Sequence, residues 1–395
     1  MYLHLTNTLS CPILSPVEQG LLIIGPLKTD RAYTAKGINM NAVESFLSRL
    51  KGFVMTHQPL VTSPSLTRRM QNMALWRVSL VTVLALAGLL VVFSATGCSR
   101  RDKPDNSQPA KPKIALVMKS LANEFFKTME EGARAHHSQH ADEYELKAVG
   151  IRNEEDVAAQ VDLVRLMIAR HVDAIVIAPA DSESLIPVCK EALDAGIVVV
   201  NIDNKLDAQR LADKGIRIPF VGPDNRKGAA LAGDYVAKKL AAGDEVAIIE
   251  GVPGAFNGIQ RKAGFEDAIR RANLKVVSSQ AGNWETDKAM QRVAAIVTEH
   301  PNIRAVLCAN DSMALGAMAA IKAAGRDDDI YIVGFDNIEA VRRLLKAGRI
   351  LCTVDQHGDK LAVFGIEYAL EILKNNSTPA DKETPVDLIT METLK

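Results

Sequence analysis

From residue 113 onward the chain alternates short apolar runs with longer amphipathic stretches. The runs fall at 114–118, 174–177, 198–200, 220–222, 246–249, 276–277, 305–307, 330–333, 351–354 and 386–389. A helix-like stretch fills about 124 to 137. Another begins near Glu154, where Val157, Val161, Val164 and Ile168 recur at four, three and four residues, one face of a helix. Continuous apolar strands separated by helices of about 10–15 residues predict parallel sheets covered on both faces. There are too many strands for one comfortable sheet. Segment 205–217 is polar and without apolar period, and a second strand–helix series opens beyond 220–222. The fold class is therefore α/β, with two doubly wound parallel-sheet lobes side by side.

Composition narrows the function. At 395 residues there is room for two or three domains of roughly 150 residues each. With 48% hydrophobic and 24% charged residues, the chain is neither disordered, collagenous nor a coiled coil. Its 47 basic residues balance 47 acidic ones, so no bulk electrostatic footprint points to nucleic acid. Five cysteines cannot staple a chain this long, and none has zinc-site spacing. No cofactor and no metal is expected.

The first hundred residues look like an address. Residues 78–99 carry no charge, Arg68, Arg69 and Arg77 precede them, and Ala95-Thr96-Gly97-Cys98 closes the run. A basic flank, a short apolar segment and small residues at the end are the parts of a secretory signal. A cysteine directly after small residues resembles the bacterial lipobox, which implies lipidation at Cys98; Ala95 stands where Leu is usual. An uncleaved membrane span is the alternative, but the run is short for about 20 spanning residues. Residues 1–69 form an awkward extension upstream of a signal at 70–97, with Met1, Met70 and Met73 as candidate starts. Residues 98–111 read as a tether between lipid and domain.

Ligands of doubly wound sheets bind beyond the carboxyl ends of the strands. Asn123, Phe125 and Phe126 follow the first run, and Asp203 and Asn204 follow the run at 198–200. Arg261 lies past the loop after Glu250, and Trp284 lies past Gln280. Asn310, Asp336 and Gln356 follow three later runs. Carboxylates accept hydroxyl protons, Asn and Gln donate and accept, and Arg donates a fork. Aromatic faces cover the C–H patches of a ring. The set suits a small polyhydroxylated molecule, because each buried hydroxyl partner penalises a ligand that lacks that hydroxyl.

Four segments carry a resemblance to a known family: Ser120-Leu121-Ala122-Asn123-Glu124-Phe125-Phe126, 232–239, Ala309-Asn310-Asp311-Ser312-Met313 and Val333-Gly334-Phe335-Asp336. Pro385-Val386-Asp387-Leu388 matches the family's end. From about 113 to 395 the chain resembles the type I periplasmic sugar-binding proteins, the ribose-binding group above all. The resemblance implies ligand positions at Asn123, Phe125, Phe126, Asp203, Asn204, Arg261, Trp284, Asn310, Asp336 and Gln356. Asn204 stands where a ribose binder has Arg, and Trp284 where it has Phe, so the pocket departs from ribose while still suiting a monosaccharide or polyol. It also implies a monomer working with an ABC permease and its ATPase, held at the membrane only by its lipid. One lobe is expected to comprise 112–222 and 357–385, the other 223–356 and 386–395. A three-strand hinge would then cross near Gly222, Gln356 and Pro385.

Plainer readings stand beside these. Phe125 and Phe126 also fit core positions of the first helix. Asp311 is expected to cap helix 312–324. Asp203 and Asp336 as a glycosidase pair would need opposed environments that nothing in the sequence supplies. His136, His137 and His140 lack a third metal ligand in pattern and read as a solvated helix end. Cys189, Cys308 and Cys352 read as small buried hydrophobes. The stretch 251–258 is Gly-rich but lacks the Lys of a phosphate loop. A sugar-responsive regulator would need a helix-turn-helix, and 1–69 shows none. A sensory binding protein presenting a sugar or furanosyl signal to a membrane receptor remains a live alternative on sequence alone, and an enzyme is the weakest.

Overall fold

The computed structural model describes residues 110–394. The leader, Cys11 and Cys98 lie outside the described residues. The first sheet gathers β1 (Lys113–Ser120), β2 (Glu145–Ile151), β3 (Ala174–Ile177), β4 (Val198–Ile202), β5 (Phe220–Pro223) and β11 (Lys382–Thr384). Their order is β11-β5-β4-β3-β1-β2, and every pairing is parallel. The connecting helices are α1 (Glu124–Gln139), α2 (Val157–Ala169), α3 (Ile186–Asp194) and α4 (Ala208–Asp213).

The second sheet repeats the plan with β6 (Glu245–Glu250), β7 (Lys275–Ala281), β8 (Ile303–Cys308), β9 (Tyr331–Val333), β10 (Cys352–Asp355) and β12 (Asp387–Thr390), in the order β12-β10-β9-β8-β6-β7. Its helices are α5 (Asn225–Ala237), α6 (Phe256–Arg271), α7 (Thr286–Glu299), α8 (Asp311–Ala323) and α9 (Glu339–Lys346). The chain passes between the sheets after β5, after β10 and between β11 and β12. After β10, helix α10 (Gly358–Asn375) returns to pack on α1, β3 and β4.

Burial explains the pattern. The four residues of β3 are all buried, so no polar residue is tolerated on either face. One side of the first sheet closes over Val164, Met167, Ile175, Ile177, Val188 and Ala192. The other packs Ile114, Leu116, Met118, Phe126 and Met129 beneath α1 and α10. Gly316 lets α8 approach α7 closely, since a Cβ there would lie 2.1 Å from the Thr286 carbonyl oxygen. Among the described residues no helix is long and apolar enough to cross a membrane.

The structure corrects four expectations. The sheets are not wholly parallel, because β12 runs against β10. Strand β11 ends at the cleft and its two-residue link enters the second sheet from that end, so β12 must run away from it. The edge strands β2 and β11 escape the apolar pattern because they are half exposed and carry Glu and Lys, the usual protection of an open edge. A short helix, α4, occupies part of the polar stretch at 205–217. Finally, Asn310 rather than Asp311 caps α8, its side chain accepting from the Met313 amide at 2.9 Å. Asp311 is wholly buried, accepting from the Thr353 hydroxyl at 2.7 Å and the Ile338 amide at 2.9 Å.

Candidate functional site

The carboxyl ends of the two sheets face each other across a narrow cavity. Lys119, Asn123, Phe125, Phe126, Glu154 and Asp203 line it from the first lobe. Asn257, Arg261, Trp284, Asn310, Asp336 and Gln356 line it from the second lobe and the crossing after β10. Each lies at or just beyond a strand end or on the helix that follows. The residues are almost all buried, so the lobes are closed over the cavity.

Charge in the cavity is arranged in two groups. In the first lobe Lys119 Nζ lies 3.2 Å from Asp203 Oδ2 and 4.0 Å from Glu154 Oε2. The ammonium also sits 5.3 Å from the Phe126 ring centre and 5.6 Å from that of Trp284. Asn123 donates to Glu154 Oε1 at 2.9 Å. Burial pushes the Glu154 carboxyl up to about 7, with Lys119 opposing the shift. In the second lobe Arg261 donates to Asn225 Oδ1 at 2.8 Å and to the Ala309 carbonyl at 2.9 Å, and approaches Asp336 Oδ1 at 3.5 Å. Its guanidinium stacks 3.7 Å from the Phe335 ring centre. Gln356 donates to Asp336 Oδ1 at 2.7 Å. Burial holds the Asp336 carboxyl well above the usual carboxylate range and lowers the Arg261 guanidinium, each partly offset by the other.

Five polar atoms of these lining residues are buried without a hydrogen-bond partner: Glu154 Oε2, Asp203 Oδ2, Arg261 Nη2, Trp284 Nε1 and Gln356 Oε1. A buried polar atom left unpaired costs about 1–3 kcal/mol. The Lys119 ammonium offsets part of this for Glu154 Oε2 and Asp203 Oδ2. Arg261 Nη2, Trp284 Nε1 and Gln356 Oε1 have no such compensation, so the lining suits a polar ligand. Of the five atoms, three are acceptors and two are donors, drawn from both lobes. A ring bearing several hydroxyls satisfies both kinds, because each hydroxyl donates and accepts. Phe125 and Phe126 meet edge to face at 5.1 Å on one wall. Trp284 lines the cavity from the second lobe, packed so tightly on Gly251 that a Cβ there would lie 2.0 Å from the indole.

Residues 114–377 match the family described as periplasmic binding protein domain. The chain belongs to the periplasmic binding protein family. Its members bind a solute outside the cytoplasm and make or break no bond. The chain is 56% identical over 286 residues to the D-ribose/D-allose-binding protein of Pseudomonas aeruginosa, covering 71% of this chain and 90% of that one. It is 32% identical over 279 residues to the ribose import binding protein of Escherichia coli, covering 71% and 90%. Among solved structures, an ABC transporter periplasmic solute binding protein of Actinobacillus succinogenes with bound D-allose superposes with a TM-score of 0.68 at 36% identity, covering 72% of this chain and 99% of that one.

Within this periplasmic binding protein, nine of the ten residues anticipated at the strand ends line the cavity. Asn204 does not. Its amide donates one proton to the Pro179 carbonyl at 3.0 Å, and its Oδ1 accepts from the Ser182 hydroxyl and the Asn257 amide, so the side chain is turned toward the protein. The structure places Asn204 behind the lining, where it joins Pro179, Ser182 and Asn257. Asn310 lines the cavity but uses Oδ1 as the α8 cap. Phe125 and Phe126 serve both readings, as core residues of α1 and as cavity wall.

Lys119, Glu154 and Asn257 were missed. Lys119 is the one charged residue among the buried positions of β1, a signal the apolar run at 114–118 passed over. Glu154 follows β2, whose half-exposed edge hid the strand end. Asn257 sits inside the Gly-rich stretch considered only for phosphate. His136 donates or accepts at the Tyr144 hydroxyl at 2.9 Å and stacks on His140, far along α1 from the cavity. The three cysteines at 189, 308 and 352 are buried free thiols.

Proposed function

We propose that this chain is the lipid-anchored solute-binding subunit of an ABC sugar importer, and that it carries D-allose and D-ribose as pyranoses. It is a sugar-binding protein and not an enzyme. The observation carrying the reading is the set of five unpaired polar atoms, contributed by both lobes, alongside aromatic side chains of the two lobes. The sugars named for the relatives support the choice. D-Allose and D-ribose share the configuration of their ring hydroxyls and differ by one hydroxymethyl group, so one arrangement of fixed donors and acceptors fits both.

Sugar contacts residues of both lobes, so it favours the closed form by differential affinity, and the three crossings act as the hinge. Isothermal titration calorimetry will find binding of D-allose and D-ribose, with D-glucose and D-xylose weaker by about 10–100-fold. Those two invert one ring hydroxyl, leaving one buried polar group unpaired. Equal binding of either epimer would contradict the reading. Anchoring depends on Cys98: Cys98→Ala will move the protein from the membrane fraction to the soluble extracytoplasmic fraction. A variant that stays with the membrane would show that something else holds it there.

A further inference from the structure

Among the described residues, five of the ten helices lack a side-chain cap at the amino end: α3, α6, α7, α9 and α10. The other five cap themselves: Asn123, Asp156, Asp207, Asp224 and Asn310 accept from amides of α1, α2, α4, α5 and α8. Helices α6 and α9 cannot, because Ala255 and Ile338 stand at the cap position and offer no side-chain acceptor. The first amides of a helix have no partner within it.

In the closed structure three of those amides find acceptors on the other lobe, while the Gly258 amide donates to the Asn257 side chain of its own helix at 2.9 Å. The Phe256 amide donates to Ser182 Oγ at 3.0 Å, and the Asn257 amide donates to Asn204 Oδ1 at 3.2 Å. The Glu339 amide donates to Glu124 Oε1 at 2.9 Å. Ser182 lies after β3, Asn204 after β4, and Glu124 opens α1, all in the first lobe. Ser182 and Asn204 are nearly inaccessible to solvent. The two hold each other: the Ser182 hydroxyl reaches Asn204 Oδ1 at 3.3 Å, and Asn204 is anchored through Pro179. The Glu124 carboxylate also faces the positive end of the α9 dipole.

We infer that Ser182, Asn204 and Glu124 are closure residues that cap α6 and α9 across the cleft. They bind no sugar. Their bonds exist only while the lobes are shut, and opening hands the amides to water. This accounts for the buried Asn204, bonded to protein partners behind a ligand pocket whose lining it does not join. Of the other cross-lobe contacts, those from the Glu154 amide to Glu285 and from the Ser312 hydroxyl to Asn123 Oδ1 are long, both at 3.4 Å. Those from Glu155 to Asn283 and Lys288 are exposed, where ion pairs contribute little. The Lys119 ammonium also faces the Trp284 ring. Apparent affinity scales with the fraction of protein in the binding-competent form, so loss of a cap weakens binding without altering any sugar contact.

The inference rests on the reading that a sugar closes this cleft, and the experiment separates the two. D-Allose dissociation is followed by stopped flow, and the closed fraction by distances between spin labels placed one on each lobe. Wild type is compared with Ser182→Ala, Glu124→Ala and Glu124→Gln. Ser182→Ala and Glu124→Ala should each raise the dissociation rate by roughly three- to tenfold and lower the closed fraction. Glu124→Gln should recover most of the difference, because its carbonyl oxygen still accepts. Half-exposed Glu124 keeps the test alive if Ser182→Ala fails to fold. Wild type that binds no sugar overturns the functional reading. Wild type that binds while both alanine variants keep its dissociation rate and closed fraction overturns the capping.

Discussion

Asp203→Ala will weaken D-allose binding by about a hundred- to a thousandfold in calorimetry while the unliganded protein still melts cooperatively. Asp203 is nearly inaccessible, and its Oδ2 faces the cavity with Lys119 Nζ at 3.2 Å and no hydrogen bond of its own. A hydrogen bond to a charged group contributes about 1.5–3 kcal/mol. Because Lys119 already holds the carboxylate, two sugar hydroxyls on it are taken at the lower half of that range and stand for about 3–4 kcal/mol. Each 1.4 kcal/mol is about tenfold in affinity. Removing the carboxylate also strips Lys119 of its nearest anion inside a buried site. Asp203 has φ of 62°, a left-handed backbone that alanine tolerates less well than aspartate. Asp203→Asn keeps that tolerance and the shape but not the charge, so it should lose an intermediate part of the affinity. Binding by the alanine variant within tenfold of wild type would remove Asp203 from the sugar site.

What the sequence made legible follows from how deeply each element is buried. Strands such as β3 are enclosed on both faces, so their composition is forced and their ends can be located. At an edge, β2 needs apolar residues on one side only, and its weak pattern concealed the strand end that delivers Glu154. Position also differs from orientation. Asp203 and Asn204 are neighbours after β4, yet one turns into the cavity and the other toward Pro179 and Asn257. No spacing rule distinguishes them, because the choice depends on partners more than twenty residues away in the chain. The same holds for Asn310 and Asp311. Both suit a helix start, and the extended backbone of Asn310, at φ −150° and ψ 169°, selects it as the cap. Asp311, pushed up to about 7 by burial, instead ties the loop after β9 to β10.

That buried carboxylate makes Arg261 decisive for stability as well as binding. Arg261 is the cation that opposes burial at Asp311 and Asp336, and Asp203 also acts on it. Arg261→Met keeps much of the side-chain volume and removes the charge, leaving buried carboxylates uncompensated. Loss of one partner from a buried ionic group costs about 3–5 kcal/mol. The cost depends on pH with a definite sign. Without Arg261 the folded-state carboxyls at 311 and 336 rise further, while the unfolded chain titrates near the usual value of about 3.9. Between that value and the raised ones the folded protein holds protons that the unfolded chain releases, so stability falls as pH rises. Up to about pH 7 both carboxyls keep their protons in either folded protein, so the melting temperature of Arg261→Met should run parallel to wild type there and drop progressively below it as pH rises past 7. Adding Asp336→Asn removes one of the stranded charges. The double variant should regain stability above pH 7 but not sugar binding, since both lost groups line the cavity. A melting deficit of the same size at every pH would mean that Arg261 stabilises the lobe through its stacking on Phe335 and its bonds to Asn225 and Ala309, and not through charge.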